Sequence, residues 1–236
     1  MDEDIEGLVR ALREGDDAAK VAAARTLRDL AWSTLNKAAI AEAGAIPPLV
    51  ELLRDGNADA KLQAASTLRD LVHGNYDNKI LIAEAGGIPP LVQLVHDGSA
   101  KARWTAAWTL RNLAHDHANK VLIAEAGGIA SLVELLRDSS ADAKWSAQWA
   151  LVYLADNNDA NAVAIAAAFG LEAIVELARR GRVTVDNRSV VADASFAAKR
   201  KAALVVAALL RACVPDELRS RVDVQDVIRG VIGPYI

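Results

Sequence analysis

The stretch Ile40-Ala41-Glu42-Ala43-Gly44-Ala45-Ile46 returns as Ile82-Ala83-Glu84-Ala85-Gly86-Gly87-Ile88 and as Ile123-Ala124-Glu125-Ala126-Gly127-Gly128-Ile129. A fourth, decayed copy spans Ile165–Leu171. The copies lie 41 or 42 residues apart. Self-similarity at a fixed period of this length marks a chain of stacked supersecondary units, none of which can bury its apolar face alone. Function is then expected on a surface that successive units build jointly, rather than in one pocket.

Other landmarks keep the same period. Ile5, Ile46, Ile88 and Ile129 each open the pattern I-x-x-L-V, and Leu171 opens the variant L-x-x-I-V. Later in each unit Thr26–Leu30, Thr67–Leu71 and Thr109–Leu113 recur in register, with Ala150–Leu154 as their counterpart. Apolar residues recur at three- and four-residue steps between helix start and stop signals, so each unit reads as three helices. The first is short, running from Asn78 or Asn119 to a closing Gly86 or Gly127, the C-terminal role that suits an achiral residue. The second carries Pro47-Pro48 or Pro89-Pro90 in its first turn, where a missing N–H costs nothing, and ends at Asp55-Gly56 or Asp97-Gly98. The third is the longest, with Asp16, Asn57, Ser99 and Ser140 as its expected N-caps.

This pattern resembles the armadillo repeat family, whose unit of about 40 residues holds two or three helices. The resemblance covers nearly the whole chain, from Ile5 to Cys213. It implies an all-α fold, a right-handed α-solenoid of about five repeats. The chain is then expected to be a single solenoid over 1–236, with units near 1–45, 46–87, 88–128, 129–170 and 171–213. Unit one starts at its second helix. In the last unit Arg182–Ser195 replaces a short link. Its length favours a loop, with a small Val/Thr hairpin as the alternative. Phe196–Cys213 reads as a resumed helix, a further helix restarts at Pro215, and the segment 214–236 reads as a cap over the last apolar face.

Composition supports this. Of 236 residues 53% are hydrophobic, enough for a continuous core of closely packed helices. The net charge of −4 leaves no cationic footprint for nucleic acid. The longest apolar stretches, Ala162–Leu171 and Ala202–Leu210, fall short of the ~20 residues that span a bilayer, and the acidic start of the chain has no signal-peptide pattern. The single Cys213 excludes an internal disulfide and suits a reducing compartment, so a cytoplasmic location, also nuclear, is expected.

The informative chemistry lies on the third helices. Trp104 with Trp108, and Trp145 with Trp149, are four residues apart and share a helical face. Extending that stripe gives Asn112 and His115 in one unit and Tyr153 and Asp156 in the next. Equivalent positions are Leu62, Ser66, Asp70 and His73, and Val21, Arg25, Asp29 and Trp32. A separate face of Ala60, Ala64, Leu68 and Leu71, repeated as Ala102, Ala106, Leu110 and Leu113, stays small or aliphatic and reads as core. Large aromatics also fill cores, but here the core already has its own face. Lys20, Lys61, Arg103 and Lys144 read as solvated or half-buried stems at the helix starts.

Trp108 to Asn112 matches the W-x-x-x-N pattern of peptide-binding armadillo members such as importin-α. The resemblance implies that Asn112 hydrogen-bonds the backbone of an extended peptide while Trp108 stacks on its side chains, in a concave groove lined by third helices. Elsewhere the pattern is incomplete, with Tyr153, Asp29 and Asp70 at the Asn position, and an aspartate accepts from a peptide N–H without also donating. The candidate peptide-binding residues are Asp29, Leu62, Ser66, Arg69, Asp70, Trp104, Trp108, Arg111, Asn112, Trp145, Trp149 and Tyr153. Asp29 and Asp70 could receive Lys or Arg, but Arg25, Arg28, Arg69 and Arg111 lie on or beside the same stripe.

No catalytic motif emerges. His115-Asp116-His117 suggests a metal fragment, but histidines two apart on a helix diverge and no third ligand is suitably spaced. There is no GxxxxGK[ST], GxGxxG or GxSxG pattern. No enzyme, cofactor, nucleic-acid or membrane partner is expected. Two readings stay open: a module binding an extended peptide or disordered segment of another protein, and a scaffold whose Trp-rich surface mates with a second copy. Near-identical units arise by recent duplication or by consensus engineering, and the irregular last unit favours a natural chain.

Overall fold

The computed structural model describes residues 2–137, 140–169, 183–185 and 188–190. The fold divides into two compact units, residues 1–150 and 151–236.

The first unit is a helical solenoid. It opens with α1 (Asp2–Glu14) and α2 (Asp17–Leu30), then repeats a helix triplet: α3 (Thr34–Glu42), α4 (Ile46–Asp55) and α5 (Ala58–Val72), followed by α6 (Tyr76–Glu84), α7 (Ile88–Asp97) and α8 (Ala100–Leu113). A third triplet begins with α9 (His117–Glu125), α10 (Gly128–Leu135) and α11 (Ala141–Ala155), the last carrying the boundary between the units. The third helices stack, α2 against α5 and α5 against α8, and each second helix backs its own third helix, α4 on α5 and α7 on α8. The opening pair α1 and α2 is therefore a triplet without its first helix, as the repeat predicts.

Local chemistry fixes the boundaries. Asp16 Oδ1 accepts from Ala19 N at 2.8 Å and Asn57 Oδ1 from Ala60 N at 3.0 Å, while Ser99 and Ser140 hydroxyls accept from Ala102 N and Ala143 N at 3.4 and 3.3 Å. All four expected N-caps thus satisfy an orphan helix donor. Gly44, Gly86 and Gly127 close the first helices at φ of +77°, +75° and +79°, a left-handed conformation that costs a residue with a Cβ.

The first helices begin earlier than the sequence pattern suggests. α6 starts at Tyr76 and α9 at His117, capped by Asn75 and Asp116, which accept from Asn78 N and Asn119 N at 3.0 Å. Asn78 is therefore not a cap but a buried tie: its Nδ2 donates to Leu71 O at 3.0 Å and Lys37 O at 3.4 Å, and Asn119 Nδ2 reaches Lys79 O at 3.3 Å. Thr67 adds a tie between third helices, its hydroxyl lying 2.8 Å from Ala24 O and 2.9 Å from Gln63 O. The Lys37 ammonium donates to His73 O, and burial pushes its pKa below the usual lysine value despite the opposing pull of Asp70.

The expected core is the observed one. Ala60, Ala64, Leu68, Leu71 and their counterparts Ala102, Ala106, Leu110 and Leu113 are at most 3% exposed. Lys20, Lys61, Arg103 and Lys144 are half-buried.

The second unit contains the end of α11, the helix α12 (Asp159–Phe169) and two short strands, β1 (Val183–Val185) and β2 (Arg188–Val190). Asn158 caps α12 by accepting from Asn161 N at 3.0 Å, and Asn161 Nδ2 donates to Leu154 O at 3.1 Å, repeating the asparagine tie. β1 and β2 pair antiparallel with Thr184 opposite Ser189, so the insertion carries a hairpin where its length favours a loop. The β-branched alternation of Val183-Thr184-Val185 was the sequence signal for it. The second helix expected from Leu171, the helix Phe196–Cys213 and the cap 214–236 lie outside the described residues.

The core assignment gives the first prediction. Leu68→Ala is expected to cost about 2–5 kcal/mol in urea denaturation, because a fully buried leucine leaves a cavity between stacked third helices. The exposed Glu51→Ala should stay within about 0.5 kcal/mol.

Candidate functional site

The stripe on the third helices is a surface distinct from the core. Leu62, Asp70, Trp104 and Trp108 are half-buried, Trp149 likewise, and Trp145 is 47% exposed. Ser66 is buried, its hydroxyl donating back to Leu62 O at 2.7 Å. Tyr153 belongs to the second unit and is half-buried there.

Arginines one residue before the Asn/Asp position link neighbouring third helices. Arg28 Nη1 donates to Gln63 Oε1 at 3.1 Å. One unit on, the Arg69 guanidinium lies over the Trp104 ring, 5.3 Å from its centroid. Arg111 lies 4.7 Å from the Trp145 ring and 5.4 Å from that of Trp108. All three distances fall inside the ~6 Å within which a cation is attracted by the ring quadrupole. The same side chains engage the acidic rungs. Arg28 holds Asp29 Oδ1 through Nε and Nη2 at 3.2 and 3.0 Å, and Arg69 grips both oxygens of Asp70 at 2.7 and 3.1 Å.

Asn112 is only 6% exposed, and its Nδ2 donates to Trp108 O at 2.9 Å, one turn back along its own helix. That bond uses one of the two amide N–H groups, so its carbonyl oxygen and its second N–H are the groups with which it could accept from and donate to a ligand backbone. His73 stacks on Trp108 with ring centroids 5.2 Å apart and planes tilted by 50°. Desolvation pushes its pKa below the ordinary histidine value, Lys37, Arg111 and Arg69 push the same way, and Asp70 opposes them. Trp145 and Trp149 form a second tilted pair, 6.2 Å apart.

The most exposed tryptophan is outside the candidate set. Trp32 is 86% exposed and Leu35, beside it, 83%. Trp32 holds the repeat position of His73, but the residue equivalent to the Trp108 on which His73 stacks is Ser66, which offers no ring. Repeat alignment contained this signal once the cross-unit stacking was known.

The His115-Asp116-His117 segment has a structural role. Asp116 caps α9 and accepts from Tyr76 Oη at 2.7 Å. Burial raises its pKa, but the amides of Asn119 and Ala118, the Tyr76 hydroxyl and His117 outweigh that and hold it below the usual value. Among the described residues no His, Cys, Asp and Glu cluster could hold a metal ion, and no helix is long and apolar enough to cross a membrane.

The Armadillo/beta-catenin-like repeat model matches residues 33–73 and 75–115. Each match runs from just before a first helix to the end of a third. Among solved structures, an engineered protein from a structural genomics programme is 26% identical, with a TM-score of 0.75 over 98% of this chain and 96% of its own. A designed armadillo repeat protein in complex with the peptide (KR)4 is 25% identical, with a TM-score of 0.69 over 87% of this chain and 81% of its own. Computationally designed armadillo repeat proteins for modular peptide recognition share the fold at 24% identity and a TM-score of 0.71, over 86% and 81%. No curated protein matches the chain in sequence.

The stacked histidine is measurable. Its lowered pKa means that the folded state disfavours protonation, so the associated stability is present above the ordinary value of 6.5 and lost as pH falls through the folded pKa. His73 ring protons followed by NMR should titrate with a midpoint below 6.5, and Arg111→Gln should move that midpoint upward by removing a cation that lowers it. A midpoint at or above 6.5 contradicts the desolvated, cation-flanked setting.

Proposed function

We propose that this armadillo-repeat chain is a non-enzymatic protein-interaction module whose third helices hold an extended peptide segment of another protein. The observation that carries the reading is the separation of faces on α5, α8 and α11: a buried Ala/Leu face stacks the units, and a second face presents Trp104, Trp108, Trp145 and Trp149 part-exposed on adjacent helices. Nothing in the core requires those rings, and aromatic side chains at a surface supply large contact area at low entropic cost.

Geometry favours an extended ligand. Packed helices lie ~8–10 Å apart, while two residues of strand advance ~6.6–6.8 Å. A concave curvature narrows the rung spacing, so about two peptide residues per repeat fit. An extended chain offers backbone amides to every rung, with the spaces between rungs supplying specificity. Asn112 serves as one such rung through its carbonyl oxygen and the amide N–H not given to Trp108 O. A designed relative of the same fold is known in complex with a peptide, (KR)4. The single Cys213 suits work in the cytoplasm or nucleus.

A self-associating scaffold is the second reading, and exposed apolar residues support it: Trp32 with Leu35, Ile80 with Leu81, and Val121 with Leu122. Light scattering separates the two, because self-association raises mass with concentration in the absence of peptide.

The test is a peptide library screened by tryptophan fluorescence at constant oligomeric state. Trp108→Ala combined with Asn112→Ala is expected to weaken binding at least ~10-fold while circular dichroism stays unchanged. Unaltered affinity in the double variant would remove this face from the interaction.

A further inference from the structure

We infer that Asp29 and Trp32 form an open subsite for one Lys or Arg side chain, at the unit-one end of the peptide-binding face proposed above; the inference rests on that reading. Trp32 is 86% exposed, and Leu35, 83% exposed, adds aliphatic surface close by in the chain. The turn of α2 is carried past Leu30: Ala31 N donates to Leu27 O and Arg28 O at 3.0 and 3.1 Å, and Ser33 N to Leu30 O at 3.4 Å. Trp32 therefore follows Asp29 by three residues of helical turn and shares its side of the chain. In the next unit the same two positions lie within electrostatic reach, since the Asp70 carboxylate favours protonation of His73. The arrangement differs from W-x-x-x-N. Unit one has Arg25 and Asp29 at those positions, so this indole comes from a place the motif does not include.

Both halves of the subsite are open where their counterparts are engaged. The Trp104, Trp108 and Trp145 rings each have a guanidinium within 5.4 Å. Among the described residues no cation or ring lies against Trp32. Arg69 grips both oxygens of Asp70, whereas Arg28 places Nε and Nη2 on Oδ1 of Asp29 alone and leaves Oδ2 without a hydrogen bond, on a side chain 64% exposed. The cations of this helix face are also drawn towards α5. Arg28 Nη1 donates to Gln63 Oε1 at 3.1 Å, and Arg25 Nη2 lies 3.9 Å from Asp59 Oδ2. A ligand cation thus joins Asp29 at Oδ2 while Arg28 keeps Oδ1. The indole face attracts that cation, and the indole body with Leu35 covers a hydrocarbon stem. Lys and Arg combine such a stem with a charged end. A ligand Asp or Glu meets Asp29 as a like charge.

The experiment follows the five tryptophan indole N–H signals of the full chain by NMR, at a concentration where light scattering gives constant mass. Three peptides of equal length are added in turn: alternating Lys/Arg, alternating Asp/Glu and alternating Ser/Gly. Trp32→Phe assigns the reporting signal. The Lys/Arg peptide is expected to move it, less so as salt is added, and the other two to leave it in place. Asp29→Asn and Trp32→Ala, both at exposed positions, should each weaken the Lys/Arg peptide by ~3-fold or more in fluorescence anisotropy and leave the Ser/Gly peptide unchanged. A Lys/Arg peptide that moves the Trp104, Trp108, Trp145 and Trp149 signals without that of Trp32 overturns the inference and leaves the peptide face standing, as does a Trp32 response indifferent to Asp29→Asn. A Trp32 signal that shifts with protein concentration and not with peptide gives the ring to a second copy, which overturns it too. Silence of all five signals towards all three peptides removes the peptide face itself, and this inference with it.

Discussion

A three-helix unit of about 40 residues cannot enclose its own apolar surface. Everything else in the first unit of this chain follows from how that deficit is met. The small face of each third helix, Ala60 and Ala64 with Leu68 and Leu71 on α5, is covered by neighbouring helices and leaves no gap, and the same residue types repeat on α8. Alanine lets helix axes approach closely, so the stacking distance is set by backbone and methyl groups rather than by long side chains. Because that contact repeats, the opposite face of the third helices repeats too, and any side chain placed there is presented at a regular interval. The ties between units, Thr67 to Ala24 O and Asn78 to Lys37 O, then fix the relative rotation of helices already brought together by burial.

The parts legible in the sequence are those decided within one unit. Caps at Asp16, Asn57, Ser99 and Ser140 follow from short-range chemistry, as do the prolines in the first turns of α4 and α7 and the closing glycines of α3, α6 and α9. The core face follows from helical spacing. What the sequence did not disclose are interactions whose partner lies about 40 residues away. Asn78 has the composition of a cap and sits near a helix start, yet its amide spans two units, and only the stacked geometry assigns Asn75 as the cap instead. The Arg69–Trp104 and Arg111–Trp145 contacts belong to the same class. Composition placed arginines beside the stripe but left open whether they face a ligand or the next unit.

The exposure of Trp32 completes this picture from the other side. Position for position it matches His73, which contacts the Trp108 ring, whereas Ser66 offers Trp32 no ring. His73 is exposed as well, so the position faces solvent in both units, and what differs is whether the next unit supplies a ring to contact. Self-contact and ligand contact compete for the same groups.

That competition bears on how the family resemblance is read here. Possession of W-x-x-x-N at Trp108 and Asn112 places an indole and an amide where peptide-binding members have them, but the state of those groups depends on residues outside the motif. Arg111 and His73 lie against the Trp108 ring, and Asn112 is turned onto Trp108 O. A cation–π contact at a partly exposed site stabilises by about 0.5–1 kcal/mol, small beside the burial that stacks the units. The arginines could therefore be displaced by a better ligand group without unstacking the helices. Displacement of a resident guanidinium by a ligand cation exchanges one such contact for another. The motif locates the face, and the neighbours of its aromatic rings decide how open those rings are to a ligand.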